Sequence, residues 1–330
     1  MELEQIIFNP VGRLRSGWRL IVFVLVFVAL MFLVGSFLRV IYAVYLVVMP
    51  GLQPGLYLQE MILRLSFLFS AVAAGILCTR WLEGLPAKAL GLTLHHRWMR
   101  DLLIGSALGV ASFALAALIA AVGGGLGFTF SGREILVRAG QTLLFSAILF
   151  LIAGLAEEAL FRGYPLQTFT RAQVAWVGVL LTSLPFAAVH LRNPNVVQGF
   201  TFINTALAGV WLAVAYLRTR SLWFPLGVHW AWNWAQGSVF GIPVSGLTHI
   251  APQPLLRGTD YGPAWLTGGD YGIEGGIACT IALIVSTVYL WKTKLVSATP
   301  ELLELTSQEN LRTPDQIISV TRDTDAGVVG

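Results

Sequence analysis

Long apolar runs broken by short polar stretches organise this chain. A helix needs about 20 apolar residues to cross the hydrocarbon core of a bilayer. On that measure the pattern predicts spans near 20–48, 61–79, 102–122, 137–160, 173–190, 199–217, 222–241 and 273–291. The expected architecture is all-α, a polytopic membrane bundle of about eight transmembrane helices. Residues 1–19 form an N-terminal segment, 20–294 the membrane domain and 295–330 a polar, mobile tail. The first run begins at Leu20 behind Arg13, Arg15 and Arg19 but lacks a small-x-small cleavage site. It therefore reads as a span rather than a cleaved signal. Arg39 marks its midpoint or an interface. The Gly-, Pro- and Asp-rich stretch 242–272 is expected to be a loop covering one face. Thr299-Pro300-Glu301 has the form of a helix start, with Thr as cap and Pro in the first turn. The spacings Gly105-x-x-x-Gly109 and Gly237-x-x-x-Gly241 are of the kind that lets helices approach closely.

Composition supports the membrane reading. Hydrophobic residues make up 56% of the 330 and charged residues 12%, about half the charge of an ordinary soluble domain. The net charge of +4 does not indicate nucleic acid, because the basic residues sit at the ends of apolar runs, where their partner is the lipid surface. Those residues also alternate. Arg13–Arg19, Arg80–Arg100, Arg162 and Arg171, Arg218 and Arg220, and Lys292 and Lys294 fall in every second loop. The intervening loops hold only Arg133, Arg138, Arg192 and Arg257. By the positive-inside rule both termini are cytoplasmic and the number of spans is even. Cys78 and Cys279 lie within apolar runs and read as small buried hydrophobes.

Among 17 acidic residues, Glu157 and Glu158 stand out because they lie within a predicted span. A carboxylate there costs about 2.5–3.5 kcal/mol on insertion scales. Arg162, four residues after Glu158, shares its helix face and pairs with it. Glu157 points about 100° away and stays available for proton work. His190 ends the fifth span, with Phe186 one turn before it and packed beneath it. His229 and Asn233 share one face of the seventh. His95 and His96 read as surface residues, and His249 has no evident partner. Trp230, Trp232 and Trp234 are expected to pack or to form an interfacial belt. Each polar station alone has a bland reading, as an interfacial cluster or as interhelical glue. Three on separate spans, holding a base, imidazoles and an amide, form a hydrolytic inventory.

These residues also resemble a known family. Glu157-Glu158-Ala-Leu-Phe-Arg162-Gly163-Tyr164, Phe186-Ala-Ala-Val-His190 and His229-Trp-Ala-Trp-Asn233 are similar, in order and separation, to three motifs of the CPBP intramembrane peptidases. That group includes the CAAX prenyl endopeptidases and bacteriocin-processing relatives. The resemblance runs from about Gln141 to Phe240, and Asn9–Arg19 looks like the N-terminus of some bacterial members. Pro165 is a small departure and is expected to kink or end its helix. The resemblance implies that Glu157 activates a water that His190 holds, that His229 and Asn233 donate to the oxyanion, and that Glu158 and Arg162 fix the geometry. A divalent metal such as Zn²⁺ on Glu157, His190 and His229 is the open alternative, although no helical His-Glu-x-x-His is present.

The reading is thus an intramembrane endopeptidase of a bacterial plasma membrane, acting on a membrane protein or peptide in a cavity open to the cytoplasm or to lipid. Nothing in the chain points to a prenylated substrate, and the oligomeric state is open. A proton-coupled transporter, or a non-catalytic scaffold or immunity factor, would use the same cluster without cleavage. The enzyme reading carries a geometric requirement. Counted from a turn near Arg171, Glu157 and His190 lie about 21 and 28 Å along their helices. They can meet only if the fourth helix runs on toward Thr170.

Overall fold

The structure, a computed structural model, describes residues 3–49, 55–130, 132 and 136–306. The chain folds into α1 (Leu3–Ile7), α2 (Ser16–Val48), α3 (Leu56–Glu83), α4 (Trp98–Val122), α5 (Leu136–Glu158), α6 (Tyr164–Arg171), α7 (Ala175–His190), α8 (Phe200–Thr219), α9 (Trp223–Trp234), α10 (Ala264–Thr267), α11 (Ile277–Lys292) and α12 (Pro300–Leu305). Each predicted span corresponds to one of these helices. The helices Ser16–Val48, Leu56–Glu83, Trp98–Val122, Phe200–Thr219 and the continuous run Arg138–Arg171 are long and apolar enough to cross a membrane. Three others are shorter: α7 and α11 have 16 residues each and α9 has 12. The protein is a polytopic helical membrane bundle, with five helices of full spanning length among the described residues.

The described residues also include a two-stranded sheet. β1 (Leu126–Phe130) pairs antiparallel with β2 (Leu256–Asp260), Leu126 opposite Asp260 and Phe130 opposite Leu256. β2 lies inside the stretch expected to be a loop. Strands of five residues show too few alternations to register as a pattern, and their partners are remote in sequence.

The run Arg138–Arg171 spans 34 residues, as the geometric requirement demanded. It is not uniform. Residues Ala159–Gly163 form a π-helical turn, and Gly163 breaks the dihedral pattern before Pro165 enters the first turn of α6. Pro165 therefore sits where its missing N–H costs little. The helix passes through the π turn without ending.

α4 and α9 pack at the closest distance the backbone permits. A Cβ on Gly105 would stand 2.4 Å from the Phe224 carbonyl oxygen, and one on Gly109 2.3 Å from that of Val228. Gly227 returns the contact against Leu102. The first glycine pair is thus a helix–helix seam. The second is not, because Gly241 lies beyond the helix at φ +65°, in the turn that leads to the ribbon. Gly109→Ala is expected to destabilise the bundle by about 1–3 kcal/mol through overpacking, read as a lowered unfolding midpoint in detergent. Gly35→Ala, which meets open space, should leave the midpoint unchanged.

The main core lies among α4, α8, α9 and α11, around Phe113, Trp211, Trp232 and Leu283. Trp232 packs edge-on against Phe113 and Trp211. Trp230 and Trp234 donate to the Ala147 and Leu143 carbonyls and so pin α9 to α5. The tryptophan run serves packing. Cys78 and Cys279 are free and buried, as expected.

Several of the basic segments meet one another through loops and termini. Arg19 pairs with Glu83 at 3.1 Å, Arg171 binds the same carboxylate, and Arg13 donates to the Glu83 carbonyl at 2.6 Å. Lys88 pairs with Glu301, and Arg100 donates to the Leu295 carbonyl. Glu83, at the end of α3, is 1% exposed and holds α2, α3 and α6 together. Thr299 caps α12 by accepting from the Leu302 N–H, and Leu305 packs against Leu85 and Ala89. Arg133 and the tail after Thr306 lie outside the described residues.

Two histidines differ from their sequence reading. His95 is buried rather than on the surface, 3.2 Å from Ser221 Oγ and 3.8 Å from Asp101. Burial holds its proton affinity below that of an ordinary histidine. His249 has a partner after all, Glu60 at 3.7 Å. Both contacts bridge distant segments, so neighbouring residues gave no sign of them.

Candidate active site

The last turn of α5 carries both glutamates, and the π turn that follows carries Arg162. π turns cost hydrogen-bond geometry and are found most often at functional positions. A second one, Ala235–Val239, begins directly after Trp234, next to Asn233.

Glu158 is fully buried. Its Oε1 accepts from Arg162 Nη1 at 3.1 Å and from His229 Nδ1 at 2.9 Å. Arg162 is also sealed. Its Nη2 donates to the Gly209 carbonyl at 3.1 Å, and its guanidinium lies 4.6 Å from the centre of the Phe186 ring. A buried charge is tolerable only when paired and hydrogen-bonded, and each partner here meets that condition. The pairing expected from the four-residue spacing is the one observed.

Glu157 faces elsewhere. Its side chain is 22% exposed against 0% for Glu158. Its Oε2 lies 3.7 Å from His229 Nε2 and makes no hydrogen bond among the described residues. His229 therefore stands between two carboxylates. Its Nδ1–H is committed to Glu158, and its Nε2 faces Glu157.

His190 closes α7. Its Nδ1 lies 2.7 Å from the Phe186 carbonyl, and its ring packs tilted against Phe186 with centroids 4.6 Å apart. A carbonyl only accepts, so the proton sits on Nδ1 and the lone pair of Nε2 remains free. Glu157, His190, His229 and Asn233 all line one cavity of about 480 Å³. Phe27, Leu63, Phe67 and Leu149 give it an apolar wall. Glu158 and Arg162 stand behind the lining and do not reach it.

A metal ion was the open alternative. Among the described residues no three His, Cys, Asp or Glu side chains stand in an arrangement that could hold one. Glu157 and His229 face each other, but a third ligand does not join them, and His229 Nδ1 is already taken. The donor set does not fit a resident metal.

Sequence reasoning missed Glu274, which lines the same cavity. It lies in a short turn before α11, inside the predicted span 273–291. An acid flanked by glycines at the start of an apolar run was the available signal.

Residues 139–235 match the sequence profile of the type II CAAX prenyl endopeptidase Rce1-like family. This segment contains all three motifs and excludes Glu83 and Glu274. An Escherichia coli protein described as an uncharacterized 24.3 kDa protein is 36% identical over 83 residues, which cover 24% of this chain and 37% of that protein. The chain thus spans little more than a third of the length of that relative. No solved structure matches. The matched segment is similar to a protease family, and that similarity is consistent with the CPBP resemblance of its motifs.

Proposed function

We propose that this protein hydrolyses a peptide bond in a membrane-associated protein or peptide, using a water activated by Glu157. The observation that carries the reading is the division of labour between adjacent glutamates. One is sealed and neutralised by Arg162, and the other opens on the cavity with an unpaired oxygen facing His229.

In this reading a water bound at Glu157 donates a hydrogen bond to Nε2 of His190, whose tautomer the Phe186 carbonyl sets. Glu157 takes the water's other proton as its oxygen attacks the scissile carbonyl carbon. The carbonyl π electrons move to oxygen and form a tetrahedral oxyanion. The Asn233 amide donates to that oxygen, as does His229 Nε2 in the imidazolium form. The imidazolium needs both ring protons; Glu158 on Nδ1 supplies compensating negative charge throughout, joined by Glu157 near Nε2 until it takes the water's proton. Glu157 then returns its proton to the departing nitrogen as the C–N bond breaks. No step runs through a metal. The apolar wall suits a lipid-embedded substrate segment, and the alternation of basic loops supports cytoplasmic termini in a bacterial plasma membrane.

The test is cleavage of a membrane-anchored reporter library by purified protein in lipid vesicles, with wild type compared against Glu157→Gln and His190→Ala. The expected result is cleavage by wild type alone, unaffected by a divalent chelator. Activity that survives both substitutions sinks the reading, and loss on chelation sinks the metal-free route. Substrate flux abolished by Glu157→Gln without any cleavage would identify a transporter.

A further inference from the structure

This inference rests on the hydrolytic reading and adds a feature of the substrate. The candidate cavity is lined by a second carboxylate that the proposed reaction does not use. Glu274 lines it together with Glu157, His190 and Asn193. Its Oε2 accepts from Gln236 Nε2 at 2.9 Å and from the Ser245 N–H at 2.6 Å, and its Oε1 accepts from Ser245 Oγ at 3.1 Å. Gln236 Nε2 also donates to the Pro243 carbonyl at 2.5 Å. That contact fixes which way the amide points, so its nitrogen must face Glu274. With two hydrogens donated to Oε2, the wall is built for the ionised carboxylate.

No lysine or arginine offsets that charge. Glu274 has no ion pair with either among the described residues, and the cation-capable group whose field reaches it is His190 across the cavity. An anion held out of bulk water without a counter-cation is costly, and a cation arriving in the cavity would relieve it. Val244, Leu247 and Ile250 line the cavity beside it and offer an apolar surface for the methylene stem of a long basic side chain.

We propose that Glu274 is an acidic subsite of the cavity and binds a cationic nitrogen group of the peptide substrate. A lysine or arginine side chain and a free amino terminus share that chemistry. The rival is a purely structural brace, in which Glu274 only ties the Ser245 loop to Gln236.

The experiment uses the full chain in lipid vesicles and membrane-anchored peptides from a cleaved reporter. One position at a time carries Lys, Arg, norleucine or Glu, and the amino terminus is free or acetylated. At one register wild type should prefer Lys or Arg over norleucine by about tenfold in kcat/KM, the effect expected of one desolvated charge pair. A preference that follows acetylation instead would assign the subsite to the amino terminus. Glu274→Gln should bring the cationic and neutral peptides within about twofold of each other, and Glu274→Asp should keep the ranking. A brace would lower all peptides alike. Binding of the same peptides to Glu157→Gln protein, followed by fluorescence anisotropy, should repeat the wild-type order. A wild type indifferent to charge at every register overturns the proposal, as does a preference that persists in Glu274→Gln. If nothing is cleaved, the binding order of the same peptides decides the subsite, and the hydrolytic reading fails alone. If cleavage occurs without charge preference, the subsite fails alone. Should Glu274→Gln not fold, the wild-type series and Glu274→Asp carry the decision.

Discussion

Glu157→Gln should lower the rate of peptide cleavage by about 10²–10⁴-fold, the range for loss of a positioned general base, while the bundle stays folded. Glutamine matches glutamate in size, and Glu157 is the accessible member of the pair, so little packing is disturbed. Its ion-pair contact is with His229, at 3.7 Å, beyond a direct hydrogen bond. The change is therefore chemical, because an amide cannot take the water's proton. Single-turnover cleavage in vesicles measures the loss, and a thermal scan in detergent should show a midpoint near that of wild type. Residual cleavage within tenfold of wild type would remove Glu157 from the proposed role.

Arg162→Met should act in the opposite way, on stability first. It leaves the fully buried Glu158 carboxylate without its cation, a defect that costs about 3–5 kcal/mol. The Gly209 carbonyl loses its donor, and Phe186 loses the guanidinium against its ring. Adding Glu158→Gln should recover much of that stability, since the stranded charge is then gone. The double variant should nevertheless remain inactive. Its His229 Nδ1–H would meet a neutral amide, and the imidazolium the proposed oxyanion site requires would lose its main stabilising charge. Chemical unfolding in micelles, paired with the cleavage assay, separates the two effects. A single variant as stable as wild type would show that the ion pair contributes nothing net.

Much of the site was legible because its elements are helices. The four-residue spacing places Glu158 over Arg162, Phe186 under His190 and Asn233 beside His229, whatever the rest of the chain does. Glu157 follows as the odd carboxylate out. Other contacts depend on segments far apart in sequence. Nothing beside His229 indicates that its Nδ1 will meet Glu158 on another helix. Nothing beside Glu83 indicates that Arg19 and Arg171 will converge on it. His95 failed as a surface residue for the same reason, since Ser221 comes from the far side of α8. The two glycine pairs make the point most directly. Both have the same spacing, yet only Gly105 and Gly109 together meet the backbone of one partner helix, because Gly241 has already left its own.

The sequence by itself determined the membrane bundle, its helical segments and the local pairs one turn apart, because hydropathy and a 3.6-residue period are properties of neighbouring residues. Tertiary structure alone decided which carboxylate His229 binds, that the fourth helix runs on through a π turn, and that Glu274 enters the cavity. Those outcomes follow from how packed helices cross, and no single segment carries that information.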